Sequence, residues 1–466
     1  MVSPATPAPP VSNGGPAALR AGFVDGVGLC LLKAAVGAWV LASGFSHVSD
    51  DDYARTVIAE QFAHAPRLDP SGTSWLPLPF WVAGSAMIVF GRSLATARAI
   101  ACVLGVASVI APYAAMRALR VQRVAAVAAT AIVMALPWNA WLGVATVPDG
   151  WTGALVAAGA IAMAADDTAP AILGCQGWAA LALFAASLSR YEAWPVCGLL
   201  VARSACRALG GRRSAPSPAR SRALWHEVLC ALVAAAGPLL WMAWNEHAHG
   251  SPTHFIARVT SFRRAIGAAD APFRDKLLGF PRALADDTPE VVALGLAGVA
   301  VLFGHDELRR RWRWSGAAAG AVLAFLVAGD LGDGAPTHHP ARALGSVWWI
   351  LTGLGIDAIV TAVRALPSSL GRRGAAGVTA ALAIAWCVTL PSRWRQSPGR
   401  SEWDLRDAQI ARGLDMRARD VARADVAPCS FEHFALLAAW GAPERARIAP
   451  RTGEPPTAGC PRVSER

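Results

Sequence analysis

Charge is what this 466-residue sequence has least of: Asp, Glu, Lys and Arg make up 16% of it, against 54% hydrophobic residues. That balance excludes an ordinary soluble domain of this size. The familiar zinc spacings are missing too, since no H-E-x-x-H or paired C-x-x-C occurs, so neither of those zinc patterns is encoded. There is no Walker loop, dinucleotide-binding glycine pattern or heptad seam. Those absences argue against an ATP-driven pump and against a nucleotide-sugar enzyme with a soluble catalytic domain. The net charge of +11 sits in short loops between apolar runs and indicates no nucleic-acid partner.

What is there is apolar sequence in bilayer-length pieces. Eleven stretches read as spans: 27–46, 97–117, 124–141, 151–165, 171–188, 193–206, 225–244, 289–304, 315–330, 343–362 and 374–391. Each approaches the roughly 17 to 25 residues that cross a hydrocarbon core of about 30 Å. The fold class expected is an all-α polytopic membrane protein of about eleven helices. Residues 1–21 are Pro, Ala and Gly-rich, without a cleavage signature, and read as a disordered lead before an uncleaved signal-anchor helix. Residues 22–391 form the transmembrane domain, and 392–466 a small polar C-terminal segment. Lys33 lies within the first span, one to two turns from its cytosolic end, where it is expected to snorkel.

Arginine placement sets the sidedness. The apolar segment 75–91 is short and opened by two prolines, and is read as juxtamembrane, not crossing. The loops holding Arg117 to Arg123, Arg203 to Arg222, Arg309 to Arg313 and Arg364 to Arg373 then all face the cytosol, with sixteen arginines among them. The opposite short loops hold only Arg190 and Arg342. On that outer face lie the first loop (46–96), Asp149, Arg190, Glu192, His338, His339 and the loop 245–288.

The stretch "SDDDY" puts Asp50, Asp51 and Asp52 immediately after the first span, at the start of a short interfacial helix. A capping aspartate accounts for one or two of them. Three in a row suit a general base that takes a proton from an alcohol, or, with His47, a divalent-cation site.

This acidic group, followed by Tyr53 and by Ile58-Ala59, resembles the C-type glycosyltransferase superfamily of polytopic enzymes that use polyprenyl-phosphate-linked sugars. In its aminoarabinose transferase and protein O-mannosyltransferase branches the pair reads Asp-Glu, which places it on Asp51 and Asp52, with Asp50 a one-residue slip away. "WLPLPFW", residues 75–81, is similar to the family's K-P-P-L-P-Y-W loop, but Trp75 stands where relatives have a lysine for the lipid phosphate. "TVPDGWTGAL" is similar to the second acidic motif, through Asp149. "SLSRYEAWP" offers Arg190, and "THHPARALGSVWW" offers His338, His339 and Arg342, as donor-phosphate ligands. Residues 249–265 resemble the family's Gly-x-Pro turn with a following helix, which brings in Arg258.

The resemblance implies an inverting transferase on the outer face of a bacterial inner membrane. It would move one sugar from a polyprenyl-phosphate donor to a hydroxyl acceptor of the cell envelope, within the bilayer. Asp51 would be the base, with Asp52 or Asp149 in support. No metal is assigned, though a divalent cation is open among His47 and the aspartates. The alternatives are a lipid flippase or transporter, and a non-catalytic scaffold with a degenerate transferase fold. Of nine cysteines, Cys429 and Cys460 fall in the C-terminal segment, where an outward location permits a disulfide.

Overall fold

In a bilayer the backbone has no partner but itself, so apolar runs become helices. The computed structural model describes residues 16–165, 174–211, 218–265, 270–334, 339–453 and 460–465. Helices occupy each of the eleven expected places. They are Pro16–Ala42, Leu94–Ala107 with Ile110–Ala118, Arg123–Ala135, Asp149–Ala162, Cys175–Ser187, Trp194–Gly211, Pro218–His249, Pro289–Leu302, Asp306–Leu331, Gly345–Ala365 and Ser369–Trp394. The first takes in residues 16 to 21 of the expected lead.

Among the described residues, six stretches are long and apolar enough to cross a membrane: Arg20–Ala42, Leu94–Ala118, Leu224–His249, Asp306–Leu331, Pro340–Ala365 and Arg373–Ala418. Leu78–Phe90, Arg123–Ala135, Cys175–Ser187 and Pro289–Leu302 are apolar but shorter. Phe23, Trp225, Leu296 and Val388 stand exposed, which suits a surface solvated by lipid. The chain is a multi-pass membrane protein.

Lys33 departs from the snorkelling expectation. It is buried, and its Nζ donates to Asn139 O at 2.7 Å and Asn139 Oδ1 at 2.6 Å. The apolar surroundings leave the ammonium no route to water, so a carbonyl and a side-chain amide satisfy it where it stands.

The first loop bends at Gly44, whose φ of 86° favours a residue without Cβ. It then forms helix Asp51–His64, followed after the Trp75 loop by helix Leu78–Phe90. Ile88, Val89 and Phe90 end that second helix with exposed apolar side chains, as an interfacial helix requires.

The C-terminal segment adds helices Trp403–Ala418 and His433–Trp440 and three short strands. Strand Ala424–Ala427 is central, parallel to Ala446–Ile448 and antiparallel to Arg462–Glu465. These strands depart from an all-helical chain; at three or four residues they are too short for their alternation to stand out in sequence. Cys429 and Cys460 are disulfide-bonded, with Cα atoms 6.0 Å apart. Met416, Leu436, Leu437 and Trp440 pack on Tyr53 and Val57 of the first-loop helix, so the appendage leans directly on the segment that carries the aspartates.

Candidate active site

The three adjacent aspartates point in three directions, as residues about 100° apart on a helix must. Asp50 leaves toward the appendage, where Arg406 grips it with Nε–Oδ1 at 2.7 Å and Nη2–Oδ2 at 2.8 Å. Asp52 turns inward: its Oδ2 accepts from the backbone N–H of Val48 at 3.1 Å and Ser49 at 3.3 Å, and its Oδ1 from Thr146 N at 2.8 Å. Burial pushes the Asp52 carboxyl up, against the opposing pull of Arg342 and the backbone donors. Asp51 alone faces the mouth of the bundle, its side chain 31% exposed and its Oδ2 3.0 Å from Arg342 Nη1. The capping reading does not hold for Asp50, which occupies the N-cap position without a side-chain cap bond.

Arg342 is the hub. It rides on the 3-10 turn Pro340–Leu344, entered through His339 in a left-handed conformation (φ 51°). Besides Asp51 it meets Ser49 Oγ at 3.0 Å and both oxygens of Asp149 at 3.3 Å. Asp149 begins helix Asp149–Ala162 and is buried. That helix and Gly345–Ala365 approach at Gly153 and Gly345, where a Cβ on Gly153 would lie 3.0 Å from the Gly345 Cα. The close crossing lets a short aspartate reach the arginine on the neighbouring turn.

Arg190 completes the network, with Nη1 2.8 Å from Asp149 Oδ1 and Nε 3.0 Å from Glu192 Oε2. Its turn is braced by Thr152 Oγ1 against Ser189 Oγ at 2.6 Å and by Leu78 N donating to Leu188 O at 3.0 Å. Burial raises the cost of charge on Asp149, but Arg190, Arg342 and Arg55 outweigh it and hold the carboxyl at about 2. Arg190 is likewise opposed by burial and raised on balance by Asp149 and Glu192. The Arg190–Glu192 pair is thus a buried part of a cluster, not an exposed surface pair.

The structure therefore brings together Asp51, Asp149, Arg190, Glu192 and Arg342. It directs Asp50 and Asp52 elsewhere, and it buries Tyr53, whose hydroxyl meets Ser46 Oγ at 2.9 Å and His47 Nδ1 at 3.2 Å. Arg258 is exposed on helix His254–Ala265. The His339 ring lies 5.6 Å from that of Trp138, and His338 lies outside the described residues. Sequence reading missed two residues. Thr146 holds Asp52, and Arg55 places its guanidinium 4.4 Å above the Trp75 ring. The signal for Arg55 was its spacing, four residues after Asp51 on one helix face.

Among the described residues, His47, Asp50 and Glu402 come close enough together to suggest a metal site. The donor set does not fit: both Asp50 oxygens are held by Arg406, which also binds Glu402 Oε2 at 3.1 Å. A guanidinium already fills the space a cation would take.

No protein-family model matches the chain, and no curated protein does. Among solved structures it is similar to ArnT from Cupriavidus metallidurans in the apo state, at 16% identity and a TM-score of 0.46, covering 91% of this chain and 75% of that one. For ArnT bound to undecaprenyl phosphate the figures are 15%, 0.46, 90% and 74%. It is also similar to the oligosaccharyltransferase AglB from Archaeoglobus fulgidus, in complex with an inhibitory peptide and a dolichol-phosphate, at 14% identity and a TM-score of 0.48. There the match covers 83% of this chain and 58% of AglB. These likenesses assign no residue a role.

Proposed function

We propose that this protein is an inverting glycosyltransferase that moves one sugar from a polyprenyl-phosphate carrier to a hydroxyl acceptor at the outer face of a bacterial inner membrane. The observation that carries this reading is the placement of Asp51. It is a partly exposed carboxylate at the start of a juxtamembrane helix, tied through Arg342 to a buried aspartate and a second arginine.

The reaction asks for two things in one place. The acceptor hydroxyl must lose its proton as its oxygen bonds to the anomeric carbon. The bond from that carbon to the phosphate oxygen must break, with its electron pair leaving on the phosphate. Asp51 takes the proton, since Arg406 occupies both oxygens of Asp50 and Asp52 is buried. The arginines around Asp149 supply fixed positive charge where the leaving phosphate gains negative charge. Arg342 bridges Asp51 and Asp149, so the position between the two carboxylates is held by a guanidinium and the transfer proceeds without a divalent ion.

A transporter would need charges free to move or to load an ion within the spans. Lys33, buried in the first span, is instead tied to Asn139. The test is sugar release or transfer from a panel of radiolabelled polyprenyl-phosphate sugars by purified protein in lipid, with Asp51→Asn alongside. One donor turned over by wild type and not by the folded variant supports the reading. No turnover of any donor, even with membrane extract as acceptor source, would sink it in favour of a transporter or scaffold.

A further inference from the structure

Three arginines influence one another at this mouth, and they differ in one respect. Arg342 and Arg190 have carboxylate partners. Arg55 is 7% exposed, yet among the described residues its Nε and Nη1 have no hydrogen-bond partner. Its contacts are aromatic, with the guanidinium 4.4 Å from the Trp75 ring centroid and 5.7 Å from that of Phe80. Stacking satisfies the face of a guanidinium but leaves its in-plane N–H donors unused. A buried cation with unused donors costs free energy until an acceptor fills them.

The acceptor's chemistry follows from the surroundings. Asp51 and Arg55 are four residues apart on helix Asp51–His64 and so share one face, about one turn from each other. The segment that carries Trp75 is tied at its neighbour: Tyr191 Oη donates to Ser74 O at 2.7 Å and accepts from Trp241 Nε1 at 3.1 Å. The Trp75 and Phe80 rings stack with centroids 6.2 Å apart. A guanidinium placed over such a platform keeps a fork of N–H groups whose geometry a phosphate's oxygens match.

We propose that Arg55, stacked on Trp75, is the residue that binds the phosphate of the lipid-linked donor, one helical turn from the carboxylate that receives the acceptor's proton. This rests on the reading under Proposed function and names the ligand of its phosphate. Arg190 and Arg342 then hold Asp149 and Asp51 and add their fixed charge nearby, while Arg55 touches the donor phosphate itself.

The test compares binding of undecaprenyl phosphate and of uncharged undecaprenol to the full-length protein in lipid nanodiscs. Wild type, Arg55→Ala, Arg55→Lys and the exposed control Arg258→Ala are measured side by side. The expected result is that Arg55→Ala weakens phosphate-lipid binding about 10- to 100-fold and leaves undecaprenol binding unchanged. Arg55→Lys falls between, because it keeps the charge and loses the fork, and Arg258→Ala matches wild type. A structural role for Arg55 would lower both ligands together, and that outcome overturns the inference. So does unchanged preference for the phosphate lipid in Arg55→Ala, which leaves the transferase reading standing. Displacement of undecaprenyl phosphate by equimolar phosphatidylglycerol would make this a general headgroup site and overturn the donor assignment. If wild type binds undecaprenyl phosphate no better than undecaprenol and turns over no donor, both readings fall.

Discussion

Two buried arginines hold neighbouring aspartates in this protein, to opposite ends. At the junction between appendage and first loop, Arg406 takes both oxygens of Asp50, and Trp403 Nε1 donates to His47 O at 3.3 Å. Ser46 Oγ meets Asp407 Oδ1 at 3.1 Å. At the bundle mouth, Arg342 divides itself among Asp51, Asp149 and Ser49, and the Asp51 side chain stays 31% exposed. A bidentate pair takes both oxygens of its carboxylate and fastens two segments, whereas a shared arginine holds one that stays partly exposed. Adjacent residues of identical type are thus divided between a bidentate anchor and a partly exposed carboxylate by the partner each direction offers.

The sharpest way to break the comparison is to empty the mouth of its buried charge. Asp149→Ala leaves Arg190 and Arg342 without their common partner and should cost about 3 to 5 kcal/mol, read as a lowered melting temperature in detergent. Asp51→Asn should do the reverse. Its pair is partly exposed, so stability should change by less than about 1 kcal/mol, while donor turnover falls about 10²- to 10⁴-fold. Equal effects of the two substitutions on melting would erase the distinction between anchor and reactant.

At the junction, Arg406→Ala should cost about 1.5 to 3 kcal/mol, less than at the mouth because the Asp50 side chain is 25% exposed and can rehydrate. Faster limited proteolysis of residues beyond 392, with turnover largely kept, would mark it as a fastener. The junction should also loosen in acid. Burial holds His47 at about 4, with Asp50 opposing and Arg406 and Arg98 reinforcing the shift. Burial likewise holds His433 at about 4, with Glu432 opposing and Arg451 reinforcing. The folded values lie below the ordinary 6.5, so the unfolded chain binds protons first. The stability these groups confer is complete above about 6.5 and is lost as pH falls toward 4. Melting followed from pH 8 to 4 should show that decline, and His433→Phe should flatten it. The smallest effect expected is that of a chelator: with a guanidinium between Asp51 and Asp149, EDTA should leave turnover unchanged, and restoration by added divalent ion would contradict the bridge.

How legible the site was depended on what each residue needed. Asp51 and Asp149 stood out because a carboxylate beside an apolar run needs a reason to be there, and Arg342 and Arg190 because they were the isolated arginines of the opposite loops. Asp52 looked like half of a catalytic pair, and its inward turn onto the backbone N–H groups of Val48, Ser49 and Thr146 could not be read in advance, since nothing in "SDDDY" shows that Thr146 lies beneath it. Arg55 was passed over because an arginine among polar residues on an interfacial helix resembles solvated charge, and only Trp75, twenty residues on, makes it a buried cation.

The sequence alone determined that this chain is helical and lies in a membrane, because hydropathy and length act locally and need no knowledge of neighbours. It determined as well that polar groups gather at helix ends, and where two distant cysteines were free to pair. Tertiary structure decided which aspartate stays partly exposed beside Arg342, which is gripped by Arg406 and which is sealed away. Each carboxylate's surroundings are set by donors brought from segments 94 to 356 residues distant, and charge interactions depend on that approach in space, not on order along the chain.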